Sequence, residues 1–146
     1  MNDEQTIWIL EDDICSQFAY QEILGSLFHI ISQGNCKEFL TAVENCKTSP
    51  KLVIADLRLP DDSFLSCLSV PAVMNFFSAI PFIVVSSVDE IDALRLCFSK
   101  GALDYLIKPF TKNELLVKIE KALSQNTMQP QKVEDSFFLE DRKSVV

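Results

Sequence analysis

The chain has 146 residues, 48% hydrophobic and 23% charged, with a formal net charge of −8. That is enough for one globular domain with a short extension, and too apolar for a disordered segment. So acidic a surface argues against direct binding of nucleic acid or an anionic membrane by this segment. No run of about 18 apolar residues is present and the N-terminus is polar, which argues against a membrane span and a signal peptide. Strand and helix signals then alternate along the chain. Ile7–Leu10 reads as a short buried strand, and 13–26 as a helix with Ile14, Phe18, Ile23 and Leu27 on its apolar face, ending near Gly25. Residues 28–32 read as a second strand, and 36–46 as a helix with Phe39, Leu40 and Val43 inward. Residues 52–55 read as a third strand. A loop at 60–63 leads to a helix from about Phe64, which Pro71 should break or distort, because proline lacks an N–H and clashes with the preceding turn. Residues 81–86 read as a fourth strand, 88–100 as a helix closed by Gly101, and 104–107 as a fifth strand. Thr111 and Glu114 have capping-box spacing for a last helix with the stripe Leu115, Leu116, Ile119 and Leu123.

Strands alternating with helices predict an α/β fold, a parallel sheet covered on both faces. Such doubly wound sheets bind ligands at the carboxyl ends of their strands. Three strands deliver chemistry to that edge. The first ends in Glu11-Asp12-Asp13, the third in Asp56, and the fifth runs into Lys108-Pro109. Carboxylates gathered at one edge repel one another unless a cation joins them, which points to a Mg²⁺ site. The cysteines, Cys15, Cys36, Cys46, Cys67 and Cys97, are scattered and form no CxxC pair. They read as reduced, mostly packed thiols of a cytoplasmic protein, and not as zinc ligands. His29 reads as a strand residue without a catalytic part, and Trp8 and the phenylalanines read as core.

Four segments in order carry a resemblance: Ile-Leu-Glu-Asp-Asp at 9–13, Leu-Val-Ile-Ala-Asp-Leu-Arg-Leu-Pro at 52–60, Ile-Pro-Phe-Ile-Val-Val-Ser-Ser at 80–87, and Gly-Ala-Leu-Asp-Tyr-Leu-Ile-Lys-Pro-Phe at 101–110. Over about 5–124 the chain resembles the receiver domain of two-component response regulators. The resemblance implies a flavodoxin-like (βα)5 fold, its doubly wound five-stranded parallel sheet in the order 2-1-3-4-5. It implies that Asp56 accepts a phosphoryl group from a histidine kinase or phosphotransfer protein. Asp12 would ligate Mg²⁺ directly and Glu11 through water, with the backbone carbonyl of Arg58 completing the protein ligands. Lys108 and Ser86 would contact the phosphoryl oxygens. Ser86 and Tyr105 would form a switch, and Lys108-Pro109 would be a cis peptide. Asp13 is the neighbouring third acid, suited to cap the first helix. The domain would be no enzyme with a separate substrate, but a phosphoacceptor with Mg²⁺-dependent self-phosphorylation and dephosphorylation. It would homodimerise on phosphorylation and control transcription.

One departure is visible. Most members of the family carry Asp-Gly or a similar pair where this chain has Ser63-Phe64, and Phe resists the positive φ that Gly allows. The loop must be built differently, and the following helix be short or displaced. A degenerate or stand-alone receiver, acting as an interaction module without DNA-binding output, stays open as an alternative. A phosphohydrolase-type aspartyl-phosphate enzyme needs a second Asp two residues after the nucleophile, and position 58 is Arg. Residues 125–135 read as a linker. Residues 136–146 read as a hairpin resembling the start of a LytTR-type output domain, through which alone DNA would be bound; another effector fits equally.

Overall fold

The computed structural model describes residues 5–125. Five strands, β1 (Thr6–Leu10), β2 (His29–Gln33), β3 (Leu52–Asp56), β4 (Phe82–Ser86) and β5 (Asp104–Ile107), form one sheet in the order β2-β1-β3-β4-β5, every pair parallel. β3 and β4 are buried at every position, as strands covered on both faces must be. Helices α1 (Ile14–Leu24) and α6 (Lys112–Gln125) cover one face. There Ile7, Ile9, Ile54, Ile83 and Leu106 pack with Tyr20, Leu24, Leu115 and Ile119. Helices α2 (Cys36–Glu44), α3 (Phe64–Cys67), α4 (Pro71–Phe77) and α5 (Ile91–Ser99) cover the other. An aromatic cluster anchors that side: Phe39 lies edge-on to Trp8, Phe64 and Phe76, and stacks on Phe77 with 5.9 Å between ring centroids.

Pro71 divides the helical stretch after β3 in two. α3 ends at Cys67, and Pro71 opens α4 at its first position, where a missing N–H costs nothing. The Ser63-Phe64 pair is accommodated without a left-handed residue. Ser63 is extended (φ −89°) and caps α3, Phe64 is fully buried, and Phe64 N–H donates to the Leu57 carbonyl at 2.9 Å. Gly101, at φ +108°, does need its freedom, turning the chain from α5 toward β5. The stretch 88–100 is also divided, into a 3₁₀ turn at Val88–Glu90 followed by α5. Thr111 and Glu114 form the reciprocal capping bonds of α6.

The expected apolar face of α1 is corrected. Ile14, Phe18 and Leu27 are 77%, 65% and 60% exposed, while Tyr20 and Leu24 are buried and Ile23 is partly so. Apolar residues occur all round this helix, so two stripes satisfy a helical period. The rotation is set by the packing of Tyr20 and Leu24 against the sheet and against Leu115 and Ile119 of α6. Phe18 is accordingly not a core residue. His29 is exposed on the edge strand. Cys36, Cys67 and Cys97 are buried, and Cys15 is exposed. The expected linker and terminal hairpin lie outside the described residues, apart from Gln125, which still belongs to α6.

Candidate functional site

The carboxyl ends of β1, β3 and β5 meet in one cleft of about 480 Å³, whose lining includes Glu11, Asp12, Asp56, Arg58, Glu90 and Lys108. β1 and β3 are neighbours at the centre of the sheet, so Glu11 and Asp12 follow directly beside Asp56. One oxygen from each of Glu11, Asp12 and Asp56 lies within 4.8 Å of the others. Asp56 is 7% exposed and Glu11 2%, whereas Asp12 is exposed. Lys108 reaches across from the end of β5. Its ammonium donates to Asp56 Oδ2 at 2.6 Å and lies 3.6 Å from Glu11 Oε1. Arg58 N–H donates to the other oxygen, Oδ1, at 3.1 Å.

Two of these carboxylates, Glu11 and Asp56, face one lysine, and the protonation of Glu11 responds. Burial raises the Glu11 carboxyl from 4.5 to about 7; the Asp13 N–H on its Oε2 opposes this and the charge of Asp56 adds to it. Lys108 loses proton affinity to burial and regains more from Asp56 and Glu11, so it stays charged. Glu11 Oε1 is buried and accepts no hydrogen bond among the described residues. A buried, unsatisfied carboxylate oxygen facing two further acids is a donor set for a hard, oxygen-seeking cation.

Ser86 stands beside this cluster and not within the cleft lining. It ends β4, is fully buried, and its hydroxyl has no hydrogen-bond partner among the described residues. On that side the lining residue is Ser87. Val84 pairs with Tyr105 and Ser86 with Ile107, so Ser86 and Tyr105 share a face of the sheet. Tyr105 is half-buried. Its ring stands edge-on to Phe98 of α5 at 5.9 Å, and the Lys118 ammonium of α6 lies 4.8 Å above it. The Lys108-Pro109 peptide is cis.

Three sets of contacts in and around the site went unread in the sequence. Ser87 and Glu90 have capping-box spacing, so that signal was present; the ion pair of Glu90 with Arg58, at 3.0 Å, has none. Asp61 accepts from the N–H groups of Cys36 and Lys37, tying the loop after β3 to the start of α2. Those partners are 25 and 24 residues away, and nothing local marks them.

Comparison with known proteins follows this geometry. The profile of the response regulator receiver domain matches residues 7–120. The chain is 33% identical over 115 residues to the two-component response regulator-like PRR37 of Oryza sativa subsp. indica, covering 77% of this chain and 16% of that protein. It is 27% identical over 128 residues to the DNA-binding transcriptional regulator NtrC of Proteus hauseri, covering 86% of this chain and 26% of that protein. The chain thus spans 16% and 26% of the length of these curated relatives. Among solved structures, a CheY-like receiver domain protein from Methanospirillum hungatei superposes with a TM-score of 0.75 at 22% identity, over 86% of this chain and 98% of that one. Full-length FixJ of B. japonicum does so with a TM-score of 0.75 at 22% identity, over 86% and 60%. Among the described residues no helix is long and apolar enough to cross a membrane.

Proposed function

Because the chain belongs to the response regulator receiver domain family of two-component signalling, we propose that Asp56 is its phosphoacceptor and that modification there switches a partner-binding face. The observation that carries this reading is the Asp56 carboxylate held between Lys108 and the Arg58 N–H beside two further acids. A carboxylate oxygen of Asp56 attacks the phosphorus of a phosphohistidine on a partner kinase or phosphotransfer protein. The new O–P bond forms as the P–N bond breaks, its electron pair returning to the imidazole. Lys108 lies where it neutralises charge on the phosphoryl oxygens, and the rigid strand ends hold the reactants in line. Glu11, Asp12, Asp56 and the Arg58 carbonyl are the groups that would hold Mg²⁺, and they fit it, being oxygen donors with one buried oxygen left unsatisfied. Bound there, Mg²⁺ supplies further charge neutralisation and orients the phosphoryl oxygens.

The partner's approach is supported by an apolar groove beside α1 that opens onto the cleft. A groove between α1 and the segment after β5, lined by Ala19, Tyr20, Ile23, Pro109 and Phe110, shares Glu11 and Lys108 with the cleft. Ala19 is exposed on the groove side of α1, whereas Ile14 and Phe18 are exposed on its opposite side. A helical phosphohistidine protein seated on the groove side brings its histidine to Asp56. Ala19→Arg, at an exposed position lining the groove, is expected to slow transfer from such a protein about tenfold relative to transfer from acetyl phosphate. An unchanged ratio places the partner elsewhere.

Ser86, with its unpartnered hydroxyl, is the group free to turn toward a phosphoryl oxygen, and Tyr105, on the same face, the group to fill the vacated space. The face built from α5, β5 and α6 then changes shape and pairs with a second copy or an output domain, consistent with transcription control by a cytoplasmic protein. The test is acetyl phosphate with Mg²⁺ followed by intact mass and sedimentation. One added phosphoryl group, not taken up when chelator replaces Mg²⁺, with a shift to dimer, is expected. Absence of the phosphoryl group sinks the phosphoacceptor reading. A phosphorylated protein that sediments unchanged at tens of micromolar sinks dimerisation alone.

A further inference from the structure

One wall of the cleft is tied together by a single side chain. Glu90 Oε2 lies 3.0 Å from the Arg58 guanidinium, and Glu90 Oε1 accepts from Ser87 N–H at 2.8 Å and from Ser87 Oγ at 2.9 Å. The two partners of the ion pair differ in freedom. The Glu90 side chain is 13% exposed and held by Ser87, while the Arg58 side chain is 73% exposed and held by Glu90. An ion pair with so exposed a member is weak and readily exchanged. Arg58 is meanwhile rooted at the reacting centre, its backbone N–H on Asp56 Oδ1 at 3.1 Å.

A phosphoryl group on Asp56 brings nearly two negative charges and three acceptor oxygens into this cleft. A guanidinium fork matches such oxygens better than it matches one carboxylate oxygen. We infer that Arg58 changes partner, from Glu90 in the resting protein to the phosphoryl oxygens in the modified one, with Glu90 as the internal competitor. This rests on the phosphoacceptor reading of Asp56 and deepens it. Glu90 is a positioning residue. It parks the guanidinium at the wall of the cleft, and so lowers the affinity of the site for phosphoryl-like anions. Partner exchange also frees the carboxylate of the residue immediately before α5, which couples the modification to the start of that helix independently of Ser86 and Tyr105.

The test uses beryllofluoride as the phosphoryl-like anion, titrated in Mg²⁺ and followed by NMR or calorimetry. Glu90→Gln keeps an oxygen for the Ser87 bonds and leaves Arg58 free, so it is expected to tighten beryllofluoride binding roughly threefold to tenfold. Arg58→Ala, at an exposed position where the fold does not depend on the side chain, is expected to weaken binding by a similar factor. In the Arg58→Ala background Glu90→Gln is expected to have no effect. Glu90→Gln tightening binding equally without Arg58 means that it acts only as a nearby negative charge, and overturns the exchange. So does an unchanged affinity in Arg58→Ala. A wild-type protein that binds no beryllofluoride fails at the earlier step, and takes the phosphoacceptor reading down with this one.

Discussion

Asp56→Asn is expected to take up no phosphoryl group from acetyl phosphate, and Lys108→Ala to take it up roughly 10²–10³ times more slowly than wild type, the usual cost of one missing charge-stabilising donor. The asymmetry follows from position. Asp56 supplies the oxygen that forms the bond, and an amide in its place is no comparable nucleophile. Lys108 forms no bond to phosphorus but sits 2.6 Å from that carboxylate, where charge builds as the phosphoryl group arrives. Its removal also leaves Glu11 and Asp56 buried with less countercharge, which destabilises the fold. The melting loss should therefore be largest without divalent ion and shrink when Mg²⁺ is added. Intact mass over time reads the first effect, and thermal melts with and without Mg²⁺ read the second. Phosphoryl uptake persisting in Asp56→Asn removes the assignment. A Lys108→Ala rate within a few-fold of wild type removes the lysine from the chemistry.

The second large effect is a pH dependence of stability in metal-free buffer. Glu11 has its carboxyl raised from 4.5 to about 7 by burial. Between these values the folded protein keeps a proton that the unfolded chain has released. Stability linked to Glu11 is therefore fully present below about 4.5 and falls as pH rises through about 7. The linkage is on the order of 3 kcal/mol, since each tenfold in proton affinity is worth about 1.4 kcal/mol. Glu11→Gln carries no such proton. It is expected to flatten the decline and to melt above wild type at pH 8 without metal. Millimolar Mg²⁺ at pH 8 should restore the wild type, by an amount that grows as RT ln(1 + [L]/Kd). Asp12→Ala should abolish that rise. A Glu11→Gln protein with the wild-type slope locates the titration in another group, and an Asp12→Ala protein that still gains from Mg²⁺ locates the ion elsewhere.

The elements whose position depends on short-range patterns were legible in the sequence. β1, β3 and β4 are nearly continuous apolar runs because both their faces are covered, and β1 and β3 lead directly to the cleft residues Glu11 and Asp56. Thr111 with Glu114 and Asp13 with Ser16 act within one turn of themselves, so helix starts at 112 and 14 follow from local chemistry, and Pro71 marks the expected break in the helical stretch after β3. Glu11, Asp12, Asp56 and Lys108 could be assigned to one edge, since parallel strands joined by helices put all their carboxyl ends on the same side.

What tertiary structure decided is what no local pattern contains. The rotation of α1, which exposes Ile14 and Phe18 and buries Tyr20, is chosen by packing against a sheet and α6 from distant parts of the chain. A helix apolar on several sides offers no preferred stripe for that choice to be read from. Ser63-Phe64 needed no glycine, because the buried Phe64 ring and the Leu57 carbonyl hold the turn in extended backbone. The Arg58–Glu90 pair joins two loops that only the β3–β4 register brings side by side. Residue types and strand order thus determined which groups meet at the sheet edge, whereas only three-dimensional packing decided which face each helix buries and which charge each side chain finds.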